Sequence, residues 1–147
     1  MPSGYVVGRT PAGTALTIVL VAGIATARPS VHQLIIASDS APADIATKFQ
    51  LLRHTVAATG GTALVPKASD PGATSLLCTA LQGTMTEPTY ETNGELEIAL
   101  NQRATYTWNA NPGREIKTAV GTANGLGLRS ISSGATPNIN ATIAWDE

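Results

Sequence analysis

The feature that most narrows what this chain can fold into is an alternation running through Glu95 to Arg114, ELEIALNQRATYTWNANPGR. Successive side chains of an extended strand point to opposite faces, so Leu96, Ile98 and Leu100 share one face while Glu95, Glu97 and Asn101 share the other. Beyond Asn101 to Arg103 a second run sets Ala104, Tyr106 and Trp108 against Thr105, Thr107 and Asn109, until Asn111-Pro112-Gly113 stops it. Two half-buried strands this close together predict a β domain.

Composition then bounds the function. A chain of 147 residues fits one domain, and a domain of that length buries about 68–70% of its unfolded surface, so neither a metal nor a disulfide is needed to hold it. Charged residues make up 13% and the net charge is -1, which gives no electrostatic basis for binding nucleic acid. The single Cys78 excludes an intramolecular disulfide framework. The apolar run Ala15 to Ala25, with Arg9 before it and Ala25-Thr26-Ala27 after, has the outline of a leader with a small-residue cleavage site. It is shorter than the roughly 20 residues a membrane-spanning helix needs, and a buried strand is the simpler account.

Taken in order, residues 1–13 contain Pro2, Gly4, Gly8, Pro11 and Gly13 around one apolar cluster, Tyr5-Val6-Val7, and read as an extended N-terminal arm ahead of a domain over 14–147. Such an arm frays in a monomer and can add a strand or an anchor to a neighbour in an assembly. The β-branched content of Thr14 to Ala25 predicts a strand covered on both faces, and Val31 to Ser38 is the next strand. Asp44 to Val56 is ambiguous. Ile45, Phe49, Leu52 and Val56 have helical spacing, whereas a strand would put Ile45, Thr47, Phe49 and Leu51 on one face and turn Leu52 away. Thr55 to Ser75 reads as a long loop around a short extended piece at Thr62 to Pro66, followed by a strand at Leu76 to Leu81 and a connector from Gly83 to Thr92. Asn93-Gly94 signals a two-residue hairpin turn. Turn markers recur at Asn111-Pro112-Gly113, Asn124-Gly125 and Ser133-Gly134, with short strands at Glu115 to Val120, Leu126 to Ile131 and Asn138 to Trp145 between and after them. The pattern predicts an all-β antiparallel sandwich, plausibly a jelly roll.

No enzyme constellation emerges from the side chains. His32 and His54 stand at no metal-ligand spacing from each other or from Cys78, and the apolar setting of Cys78 suits an inert thiol. Glu95 and Glu97 fit the solvated face of a strand better than a shared carboxylate pair, and Asn124-Gly125-Leu126-Gly127 lacks the lysine of a phosphate loop. Asn140-Ala141-Thr142 matches a glycosylation sequon, which has meaning in a secreted chain alone. Tyr106 and Trp108 on one face could stack on a sugar, though core packing explains two large aromatics in an aromatic-poor chain better.

The run Asn101 to Trp108, the turn Asn111-Pro112-Gly113-Arg114-Glu115, the segment Ala123 to Arg129 and the closing Trp145-Asp146-Glu147 carry a resemblance. The chain resembles small virion proteins of tailed bacteriophages that decorate or cement an icosahedral capsid. The resemblance is strongest from about Asp39 onward, with Leu51-Leu52-Arg53-His54-Thr55 and Thr86-Glu87-Pro88-Thr89-Tyr90 among its motifs. It implies a jelly-roll-like sandwich, a strand over 44–56, and a homotrimer on the outer capsid surface with the major capsid protein as partner. No catalytic residue, cofactor, nucleic acid or membrane is expected. On this reading Tyr5, Val6 and Val7 of the arm, and the loop from Pro66 through Lys67 and Asp70 to Gly72, are the contact parts. The competing reading is a carbohydrate-binding or adhesion sandwich that exposes Tyr90, Tyr106 or Trp108.

Overall fold

Thirteen strands form among the described residues, which are 1–133 and 137–147 of this computed structural model. Sheet A contains β1 (Ser3–Pro11), β3 (Ser30–Ser38), β6 (Lys67–Ala68), β10 (Tyr106–Asn109), β11 (Ile116–Lys117) and β13 (Asn138–Asp146). Its order is β10-β3-β13-β1-β6, with β11 also on β3. Sheet B contains β2 (Leu16–Ala22), β4 (Ala46–Val56), β5 (Thr59–Leu64), β7 (Thr79–Thr86), β8 (Thr89–Tyr90), β9 (Leu96–Asn101) and β12 (Gly125–Ser133). Its order is β5-β7-β2-β12-β4-β8, with β9 also on β4. Every pairing is antiparallel. No helix occurs among the described residues.

The two sheets stack as a sandwich, as the alternation predicts. From sheet A, Val6, Leu34, Ile36, Ile143 and Trp145 meet Val19, Val21, Phe49, Leu51, Leu126 and Leu128 of sheet B in one buried cluster. Tyr106 and Trp108 pair with Ile36 and Leu34 and pack on the same cluster, so they are core residues. Leu96, Ile98 and Leu100 of β9 do likewise from the other sheet. The chain therefore changes sheet between the two alternating runs.

Strand β2 is the doubly covered strand expected of Thr14 to Ala25, buried from Thr17 to Ala22. Asp44 to Val56 resolves as β4. Its adjacent buried Leu51 and Leu52 belong to opposite faces: Leu51 pairs with core-facing Leu128, Leu52 with Gly127 on the outer side. That outer side is roofed by the segment joining β7 to β8. The Tyr90 ring lies so close on Gly127 that any Cβ there would collide with it, and Leu20 and Leu52, which flank Gly127 in register, are buried. A helical spacing appeared in β4 because both of its faces are apolar.

Four expectations need correction. Residues 1–13 are not a free arm: β1 pairs with β13 from Ser3 to Pro11, because Gly4, Val6, Gly8 and Thr10 alternate inward. The long loop expected from Thr55 to Ser75 is about half strand, since β4 runs on to Val56, β5 pairs with β7 and β6 pairs with β1, and residues 69–75 remain loop. The strand expected at Leu76 to Leu81 lies later, as β7, and takes the first part of the expected connector. Asn93-Gly94 closes no hairpin. Strands β8 and β9 flank it in sequence but both run along the same edge of β4, Tyr90 opposite His54 and Leu96 opposite Leu51, so the dipeptide lies in a loop that interrupts one edge. The turn expected at Ser133-Gly134 lies outside the described residues.

Candidate interaction surface

Alternation in β1 sends Tyr5, Val7 and Arg9 to the outer face of sheet A while Val6 enters the core. The chain returns to this strand some sixty residues later, when the segment after β5 crosses from sheet B to sheet A and lays Lys67 beside Tyr5 and Ala68 beside Gly4. Ser69 N–H donates to Ser3 O at 2.8 Å and continues the pairing. A groove of about 440 Å³ remains between the two, lined by Tyr5, Val6, Val7, Leu64, Val65 and Lys67.

The edge beside this groove is interrupted at one residue, Val7, between the β6 pairing at Gly4 and Tyr5 and the Gln82 bond at Arg9. Ser3 O accepts from Ser69, and Arg9 N–H donates to Gln82 Oε1 at 2.6 Å, both on the side of β1 away from β13. Alternation puts the N–H and C=O of Val7 on that same side, where no strand among the described residues pairs with it. Val7 is 52% and Val65 85% exposed. Unpaired backbone at Val7 beside exposed apolar side chains is a local contact point for a partner.

The residues anticipated from sequence thus fall into three groups. Tyr5, Val7 and Lys67 line the groove together; Val6 reaches it while its side chain is 3% exposed in the core. Pro66 sits at the corner between Val65 and β6. Asp70 stands beyond, where its Oδ1 accepts from Gly72 N–H at 2.9 Å and shapes a turn. Leu64 and Val65 were missed, although an exposed valine before a proline in a Gly-Thr-Ala stretch is a legible anomaly.

The titratable groups weighed from sequence do not converge. Burial holds the His54 imidazole below its ordinary pKa, and its Nδ1–H donates to Ala123 O at 2.8 Å. His32 lies 3.8 Å from Asp146 Oδ1 on sheet A. Burial, reinforced by Glu147, pushes the Cys78 thiol up to about 12. Glu95 pairs with Arg53, while Glu97 pairs with Lys48 at 3.1 Å, so the two carboxylates serve different cations on β4. Among the described residues no group of three or more His, Cys, Asp or Glu is placed to hold a metal.

A second polar constellation, which no local motif announces, lies under the roof of sheet B. Thr17 N–H donates to Glu87 Oε1 at 2.9 Å and the Thr17 hydroxyl donates to Glu87 Oε2. Tyr90 Oη lies 2.6 Å from Thr17 Oγ1, and because that hydroxyl's proton is spent on Glu87, Tyr90 is the donor. The Arg129 guanidinium stands over the Tyr90 ring at 5.5 Å, and His54 meets the ring edge-on at 6.2 Å. Burial raises the Tyr90 phenol far above its ordinary pKa.

Comparison with family models, with curated proteins and with solved structures finds no match to this chain.

Proposed function

We propose that this protein is a structural component of a bacteriophage virion, a jelly-roll-type sandwich that binds the outer surface of an icosahedral capsid as a trimer and ties major capsid proteins together. The resemblance in the strand and turn motifs suggests the setting; the one-residue gap at Val7 is the observation that supports an assembling role. Tyr5, Val7 and Val65 gather apolar surface beside unpaired backbone, and a partner there would satisfy both. Binding confined to the assembled lattice stabilises it by mass action, and three linked sites make weak contacts sufficient.

The carbohydrate reading finds less support. Tyr106 and Trp108 face the core and Tyr90 is held under the Arg129 guanidinium, which leaves Tyr5 as the most exposed aromatic ring. The decisive measurement is solution mass by light scattering, followed by co-sedimentation with mature tailed-phage shells. Three copies and shell binding, both weakened by Val7→Lys, are expected. A stable monomer that ignores the shells overturns the proposal.

A further inference from the structure

We propose that the cavity between the β1–β2 turn and β7 receives a lysine side chain presented by a partner protein. It lies at the Thr10–Pro11 end of β1, past the central Val7, and shares no lining residue with the groove, so it does not rest on the capsid reading. Its volume is about 220 Å³, below the roughly 300–1,000 Å³ that drug-sized ligands occupy. Pro11, Leu16 and Met85 supply apolar lining, and exposed Thr84, buried Thr17 and half-buried Glu87 supply polar lining. Part of the lining is fixed: the Thr10 hydroxyl donates to Ile18 O at 2.8 Å and accepts from Gly83 N–H at 3.0 Å.

The cation nearest this carboxylate in the pairing is Arg129, the cross-strand neighbour of Thr17, and it forms no ion pair with Glu87. Among the described residues no salt bridge reaches Glu87, and Arg129 is engaged over the Tyr90 ring. Each Glu87 oxygen takes one bond from Thr17, which leaves each a further acceptor site. A small cavity lined by apolar side chains and one carboxylate complements a cation on an unbranched aliphatic stem. Lysine has that form, a compact point charge on four methylenes, whereas the wide planar fork of arginine needs a broader floor.

The test is an amide-resonance titration of the intact protein with Nα-acetyl-lysine methylamide, its Nε-acetylated form and butylammonium. Saturable shifts at Leu16, Thr17, Thr84 and Met85 are expected with the lysine compound. Acetylation, which removes the charge, should weaken binding about tenfold or more. Equal binding of both compounds, or no saturable shift, overturns the proposal. Binding of butylammonium without the lysine compound overturns the protein source of the amine. Glu87→Gln should weaken binding about tenfold. Thr84→Trp fills the cavity from an exposed position without touching the Thr17–Glu87 bonds, and a folded Thr84→Trp protein that still binds refutes the site.

Discussion

Replacing Glu87 with alanine tests whether the roof over sheet B is held by the bonds described. Thr17 is 1% exposed, so water does not replace what the carboxylate gives it. Its N–H, bonded to Oε1 at 2.9 Å, is left without an acceptor, a loss of about 1–3 kcal/mol. The hydroxyl keeps Tyr90 at 2.6 Å and loses one net hydrogen bond, about 0.5–1.5 kcal/mol. The sum centres on about 3 kcal/mol, or a fall of about 6–12 °C in Tm for a domain of this length. Urea unfolding followed by tryptophan emission should show a midpoint lower by about 1.5 M at unchanged slope, taking a slope of about 2 kcal/mol/M. Glu87→Gln retains an acceptor oxygen for the N–H and should cost about 1 kcal/mol. A change under about 0.5 kcal/mol for Glu87→Ala, the range of ordinary surface substitutions, would show that the Glu87 bonds do not hold the segment down.

Three further outcomes are expected. Gly127→Val drives a side chain into the Tyr90 ring and should destabilise by about 1–3 kcal/mol, with Tyr90→Ala in the same chain recovering part of the loss in a urea double-mutant cycle. Burial holds the His54 pKa below 6.5 in the folded state, so below that pH the unfolded chain binds the extra proton; stability should fall as pH drops from about 6.5 toward the folded value and level off beneath it. Urea midpoints measured across that range should show this slope, and His54→Gln should flatten it. Cys78, 2% exposed with its thiol pushed up to about 12, should resist a thiol reagent at neutral pH until urea unfolds the chain, and rapid modification of the native protein would contradict the burial.

Strand type and facing were legible wherever one side of a strand meets water. Leu96, Ile98 and Leu100 alternate with polar residues, and β9 buries the expected face. Legibility failed where a second face is covered, because Leu51 and Leu52 both read as apolar and the period is lost. It failed again at residues 1–13, where glycine and proline suggested an arm. Gly8 packs against Val19, where a Cβ would collide, so that glycine marks close approach between sheets rather than slack chain. Asn93-Gly94 misled for a different reason: a turn dipeptide gives the local bend but not which strand its neighbours join. The groove brings Tyr5 beside Lys67, and the roof joins Thr17 to Glu87, across separations of sixty residues or more. No local pattern encodes such contacts.

The two outer faces of the sandwich have been treated differently by the chain, and this bears on where a partner can sit. On sheet B the outward residues Thr17, Leu20, Leu52 and His54 are each 1% exposed, because the chain's own crossing segment lies over them and is bonded down through Glu87 and Tyr90. Any protein docking there would have to displace that segment and leave Thr17 unsatisfied. On sheet A no segment of the described residues crosses above Tyr5 and Val7, which remain 36% and 52% exposed beside half-buried Ile35 and Thr142. That surface carries Tyr5, Val7, Arg9, Ile35 and Thr142 and the one-residue gap at Val7, and needs no rearrangement before contact. A face already formed in the free protein costs less ordering on association than one that must first be uncovered. The asymmetry therefore favours sheet A as the face for the association proposed above, while on sheet B the proposed lysine site at Glu87 is a cavity of about 220 Å³.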